Sequence, residues 1–190
     1  MKRLLVLIVP LLLLGSRLGA QDLAVKTNLL YWGTLTPNLG FEVGLSPKST
    51  FLLWGGYNSW NLSGSETNNK KLVHWIIMPE YRYWFCERFN GHFIGVHLLG
   101  SKYNVSQHNV PLLFEKAYRY EGWGVGGGVA YGYHYMLSKR WGLEGSIGIG
   151  GIYMGYTKYN CPRCGSMIGD FTRFYFGPTT ASISLVYLIK

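Results

Sequence analysis

Two cysteines three apart, Cys161 and Cys164 in "CPRCG", are the most compact candidate for chemistry in this sequence. Thiolates at that spacing make half of a tetrahedral zinc site. The other half is missing, because the third cysteine, Cys86, stands apart in "WFCERFNG". No metal site is therefore expected. In an exported chain a local Cys161–Cys164 disulfide that stiffens a loop is the expected outcome, with Cys86 left as an odd thiol. Ser106, His108 and Glu115 fall in one polar stretch, with His74 further back. These residue types perform nucleophilic and acid–base catalysis, but their spacing matches no lipid A deacylase motif. No catalytic residue, enzymatic activity or cofactor is assigned. A third set is dispersed: Lys26, Asn28, Glu42, His74, Glu80, Arg82, His97, His134 and Glu144. What unites these residues is the kind of segment that carries them.

That kind of segment is clearest in "GWGVGGGVAYGYHYML", from Gly122 to Leu137. Its odd positions run Trp123, Val125, Gly127, Val129, Tyr131, Tyr133, Tyr135; its even positions are Gly, Ala and His134. A period of two is the signature of a strand with two unlike faces. The pattern recurs in "VKTNLLYW", "LGFEVGLS", "TFLLWGGYNSW", "HWIIMPEYRYWF", "HFIGVHLLGSKY", the stretch 141–150 and the C-terminal stretch ending in "SISLVYLI". "TFLLWGGYNSW" is apolar on both faces, and Pro79 requires a bulge or local break. The dispersed polar residues lie on the less apolar face. Glu80 and Arg82, two apart on one strand, point the same way. Lys26, Glu42, Glu80, Arg82, His97, His134 and Glu144 are expected to meet as an internal polar network, because an unpaired buried charge is costly.

Eight strands follow. Short connections at 46–49, 86–91 and 137–140 alternate with long polar ones at 61–71, 104–121 and 157–173, and only 33–38 breaks the rhythm. This is the layout of an all-β, eight-stranded antiparallel up-and-down transmembrane β-barrel, with its apolar faces toward lipid. The composition agrees: aromatic residues make up 16% and charged residues only 14%, against about 25% charged in soluble proteins. The alternative is a soluble, lipocalin-like barrel with the apolar faces turned inward. Its outer surface would then be Gly, Ala and Ser with almost no Lys or Glu.

Lys2 and Arg3, the run "LLVLIVPLLLLG" and a small-residue site before Gln21 read as a cleaved signal peptide at 1–20, with the barrel at 21–190. No later run is long enough for a transmembrane helix. Without residues 1–20 the chain has 15 basic and nine acidic residues, spread without a stripe, which argues against nucleic acid as a partner. The bacterial outer membrane is the expected location, with membrane lipid and lipopolysaccharide as partners.

The blocks "AVKTNLLYWGTLTPNLGFEVGL", "PEYRYWF" and "HFIGVHLLGSKYNV" resemble the DUF3575 family of Bacteroidetes outer-membrane proteins. The resemblance covers nearly all of the chain after residue 20. It implies a small outer-membrane β-barrel, often met beside fimbrial or other surface-protein genes, and no known catalytic activity. The C-terminal Lys190 departs from the aromatic end of many outer-membrane barrels. The expected function is therefore non-catalytic: a structural or surface-interaction role, with fimbrial or other surface proteins as loop partners. A small channel is the alternative, and a lipid A-modifying enzyme a third reading.

Overall fold

The computed structural model describes residues 23–64, 69–107, 115–160 and 165–189, with the backbone alone at 61–64 and 69. The expected signal peptide, the Cys161–Cys164 pair, His108 and Lys190 lie outside the described residues. The elements are β1 (Leu23–Asn28), α1 (Leu29–Trp32), β2 (Asn38–Ser46), β3 (Ser49–Asn58), β4 (Asn61–Gly64), β5 (Asn69–Trp84), β6 (Gly91–Ser106), β7 (Arg119–Met136), β8 (Trp141–Tyr159) and β9 (Met167–Ile189).

Every pairing is antiparallel, and β1 pairs with β9, so eight strands close into one ring. The short β4 continues the line of β3 and pairs with the start of β5. Both described ends, Leu23 and Ile189, sit opposite each other at the end that carries the short turns. Cross-strand partners traced from Glu42 through Ala24 reach Leu188; traced the other way, through Leu52, Glu80, His97, Gly128 and Gly150, they reach Gly177. The ring thus closes with a large stagger along β9, and its strands must tilt.

The period-two pattern decides which face turns inward. On β5, Trp75, Ile77, Tyr81 and Tyr83 are exposed, whereas Met78, Glu80, Arg82 and Trp84 are buried. On β7, Trp123, Val125, Val129, Tyr131, Tyr133 and Tyr135 point out, and Ala130 and His134 point in. Glycine on the inner face makes room for the large residue opposite. A Cβ on Gly132 would overlap the Phe93 ring, and one on Gly142 would overlap His134 Nε2.

The interior is filled in layers. At the short-turn end Trp84, Phe89, Phe93, Ala24, Val186 and Leu188 form an apolar cluster. Phe89 belongs to the turn rather than to a strand. Its backbone adopts φ 61°, uncommon for a residue other than glycine, and the ring is buried against Trp84 at 6.0 Å between centroids. A charged layer comes next. Beyond it Leu52, Trp54 and Met78 pack with Tyr31 from α1, whose ring meets Trp54 edge-on at 4.8 Å. A third cluster of Tyr103, Val105 and Tyr120 lies toward the long-loop end.

The strand boundaries correct several expectations. "VKTNLLYW" is not one strand: β1 stops at Asn28 and the chain turns into α1. The cause is a pair of asparagines. Asn38 Oδ1 accepts from Asn28 N (2.7 Å) and Asn38 Nδ2 donates to Asn28 O (3.0 Å), while Asn28 Oδ1 caps Leu30 N (3.1 Å). The groups that would extend the ladder are spent on side chains. The expected loops at 104–121 and 157–173 are shorter, because β6, β7, β8 and β9 run into them and leave 107–118 and 160–166. β9 reaches 23 residues. Along β5 the pairing with β6 lapses at Met78 and Pro79 and resumes in the same register at Glu80, a local break at the residue that lacks an N–H. Phe89→Ala is expected to lower stability by about 3 kcal/mol, read from the urea midpoint of the refolded protein.

Candidate functional site

The charged layer draws side chains from four strands. Arg82 on β5 is its centre. Its Nε and Nη2 reach Glu80 Oε1 and Oε2 at 3.0 and 3.3 Å, and its Nη1 reaches Glu144 Oε1 on β8 at 2.9 Å and Glu42 Oε2 on β2 at 3.2 Å. Lys26 on β1 bridges the same two distant carboxylates, at 2.5 Å from Glu42 Oε2 and 2.7 Å from Glu144 Oε2. Each of these side chains is at most 3% exposed. Two cations thus hold three carboxylates inside the ring. The planar guanidinium suits the task, since its fork of donors can serve several carboxylates at once.

Uncharged residues complete the layer. Thr50 Oγ1 donates to Glu42 Oε1 at 2.5 Å and accepts from Trp84 Nε1 at 2.9 Å. The Arg82 guanidinium carbon lies 4.4 Å from the centroid of the Phe93 ring, close enough for a cation–π contact. Thr50, Trp84 and Phe93 are absent from the sequence-derived set. Thr50 could have been found by extending the inward parity along β3, which the doubly apolar look of "TFLLWGGYNSW" obscures.

The other expected members are nearby but differently engaged. His134 Nδ1 stands 3.6 Å from Glu144 Oε2, beyond hydrogen-bond range. His97 is the cross-strand partner of Glu80, yet its Nε2 bonds Thr179 Oγ1 at 2.9 Å. Thr179 reaches it from a one-residue register shift in β9, where Gly148 faces Thr180 and Ile149 faces Pro178. Asn28 leaves the network for the α1 cap, and His74 sits higher, half-buried. Between the charged layer and the Tyr31 cluster the free space is about 20 Å³, room for about one water.

Of the residue types considered for catalysis, those among the described residues stand apart. Ser106 is buried at the end of β6, whereas Glu115 is exposed and lies 3.8 Å from Lys158 Nζ. Cys86 is a free, exposed thiol in the 85–90 turn. Among the described residues no three His, Cys, Asp or Glu side chains gather as ligands for a metal ion.

The model of DUF3575, described as a protein of unknown function, matches residues 4–189. The chain belongs to the DUF3575 family. No curated protein and no solved structure matches it. In this DUF3575 chain the interior ion cluster presents no activated nucleophile. What its geometry does is tie β1, β2, β5 and β8 together across the ring. Arg82→Ala leaves three buried carboxylates with Lys26 alone and should cost about 3 kcal/mol or more. Glu80→Gln keeps an acceptor for Arg82 and should cost about 1.5 kcal/mol. Equal urea midpoints for Arg82→Ala and the parent protein would remove the cluster from the account of stability.

Proposed function

We propose that this protein is a non-catalytic β-barrel of the bacterial outer membrane, exported by a cleaved N-terminal signal and acting through what it displays at its long-loop end. The observation that carries this reading is the chemistry of the outer face. Phe41, Leu53, Ile77, Val96, Val129 and Ile147 are exposed side chains around the ring, a continuous apolar belt far beyond what a water-facing surface carries. Aromatic residues border the belt on both sides. Tyr83, Tyr133 and Trp141 lie toward the short turns; Tyr57, Trp75 and Trp123 lie toward the long loops. Trp123 and Tyr133 are ten residues apart on β7. At a rise of about 3.4 Å and a tilt of about 40° that separates the girdles by roughly 25 Å, the height of an outer-membrane apolar band.

The soluble lipocalin-like alternative needs a polar exterior, and this ring carries its exposed aliphatic and aromatic side chains outward around a buried charged layer. The filled interior argues against the channel reading, since Phe89, the ion cluster and Tyr31 succeed one another along the axis. Surface display fits the uneven height of the ring. β7, β8 and β9 rise well past β1 and β2, and carry Tyr153, Phe174 and Phe176 outward. Fimbrial or other surface proteins are the partners that such a projection would meet.

The test is electrophoretic mobility of the protein extracted from isolated outer membranes, with and without boiling. A heat-dependent shift is expected, together with no ion conductance after reconstitution in planar bilayers. A soluble periplasmic protein without a shift would defeat the membrane reading, and steady single-channel steps would restore the channel.

A further inference from the structure

One row of the outer face is unlike the rest. Tyr57 on β3, Trp75 on β5, Lys102 on β6 and Trp123 on β7 are successive cross-strand partners. All four side chains are exposed. The next outward row toward the short turns is Ile77, Gly100 and Val125, wholly uncharged. Lys102 is therefore the first charge above the apolar belt, set between two tryptophans. Among the described residues no carboxylate lies within ion-pair distance of it. The nearest acid one row up, Glu121, is already held by Arg119 at 2.9 Å. Lys71, four residues before Trp75 on β5, likewise makes no ion pair among the described residues.

Beside this row the belt is indented. Gly55 on β3 has Leu39 and Ile77 as its cross-strand partners, and with Gly56 it floors a shallow, open furrow of about 510 Å³. Trp32, Leu39, Tyr57, Trp75 and Ile77 are among its walls. Trp75 thus belongs to both features: one face of the residue borders the furrow, and its neighbour across the strand is Lys102. The carbon-lined furrow runs from the girdle residues Tyr57 and Trp75 down to Leu39 and Ile77 of the belt, and Lys102 stands beside its upper edge.

We propose that Lys102 and the Gly55 furrow together hold one phosphate-bearing lipid, its acyl chain in the furrow and its phosphate against the Lys102 ammonium, with Lys71 as the second cation. This rests on the membrane-spanning reading above. Tryptophans at a bilayer interface and an ammonium beside them are placed where headgroup phosphates lie. Each lysine near such a phosphate contributes about fivefold in affinity. The lipid is one of the leaflet at the long-loop end, which in an outer membrane is the phosphorylated glycolipid leaflet.

The experiment uses the full chain in phosphatidylcholine nanodiscs doped with diphosphorylated lipid A, or with the same lipid after removal of its phosphates. Retained lipid is counted by native mass spectrometry. The parent protein should keep the phosphorylated form and release the dephosphorylated one. Lys102→Gln should reduce retention about fivefold and Lys71→Gln with Lys102→Gln roughly twentyfold; Gly55→Leu, which fills the furrow, should reduce it with both lysines in place. Equal retention of the two lipids, or no change in any of these variants, overturns the site and leaves the membrane reading standing. Displacement of the lipid by millimolar inorganic phosphate overturns the acyl-chain half. A parent protein that folds but does not enter nanodiscs overturns the membrane reading, and the site with it.

Discussion

Arg82 is bonded to three carboxylates that come from three strands, and it is buried. Losing Arg82 would leave three buried carboxylates with one cation, which is why the cluster depends on it. Much of the inner surface is arranged around that requirement. Gly95 lies opposite Arg82, and a Cβ there would collide with Glu80. Thr50 takes the remaining oxygen of Glu42, and Trp84 takes Thr50. Apolar clusters stand on either side of the layer.

The same logic explains the division between the two faces. A ring of this size has an interior just wide enough for side chains to fill. Large residues and glycines must therefore alternate across neighbouring strands, as Phe93 does with Gly132 and His134 with Gly142. On the outside no such limit applies, and the bulky apolar residues that would be core in a soluble protein are carried there instead.

Much of this was legible in the chain itself. Period two in Gly122–Leu137 marks β7, and the parity of Glu80, Arg82, Glu144, Glu42 and Lys26 places all five on one surface. What parity does not convey is distance along the ring. Nothing in the spacing says that Lys26 meets Glu144, 118 residues away, because that depends on the stagger at closure. The end of β1 was hidden for another reason: "NLLYW" continues the strand pattern, and only the side chain of Asn38 diverts the backbone at Asn28. Phe89 was hidden too, since a phenylalanine in a turn gives no sign that it will fold back beneath the ring. The lengths of β8 and β9 were underestimated because Lys158, Asp170 and Arg173 look like loop residues, yet they sit on a strand pair that projects past the apolar belt.

Lys26 lies on β1, the strand that meets β9 at the seam between the two ends of the chain. It is also bonded to both Glu42 on β2 and Glu144 on β8. In an unsealed sheet Lys26 would still stand beside Glu42 on the β1–β2 pair, whereas its bond to Glu144 on β8 crosses the seam and forms only when β1 meets β9. Seam closure and formation of the Lys26–Glu144 ion pair are one event in this molecule. Whatever machinery or solvent receives the growing sheet has to accommodate Glu144 without its Lys26 partner until the final hydrogen bonds form.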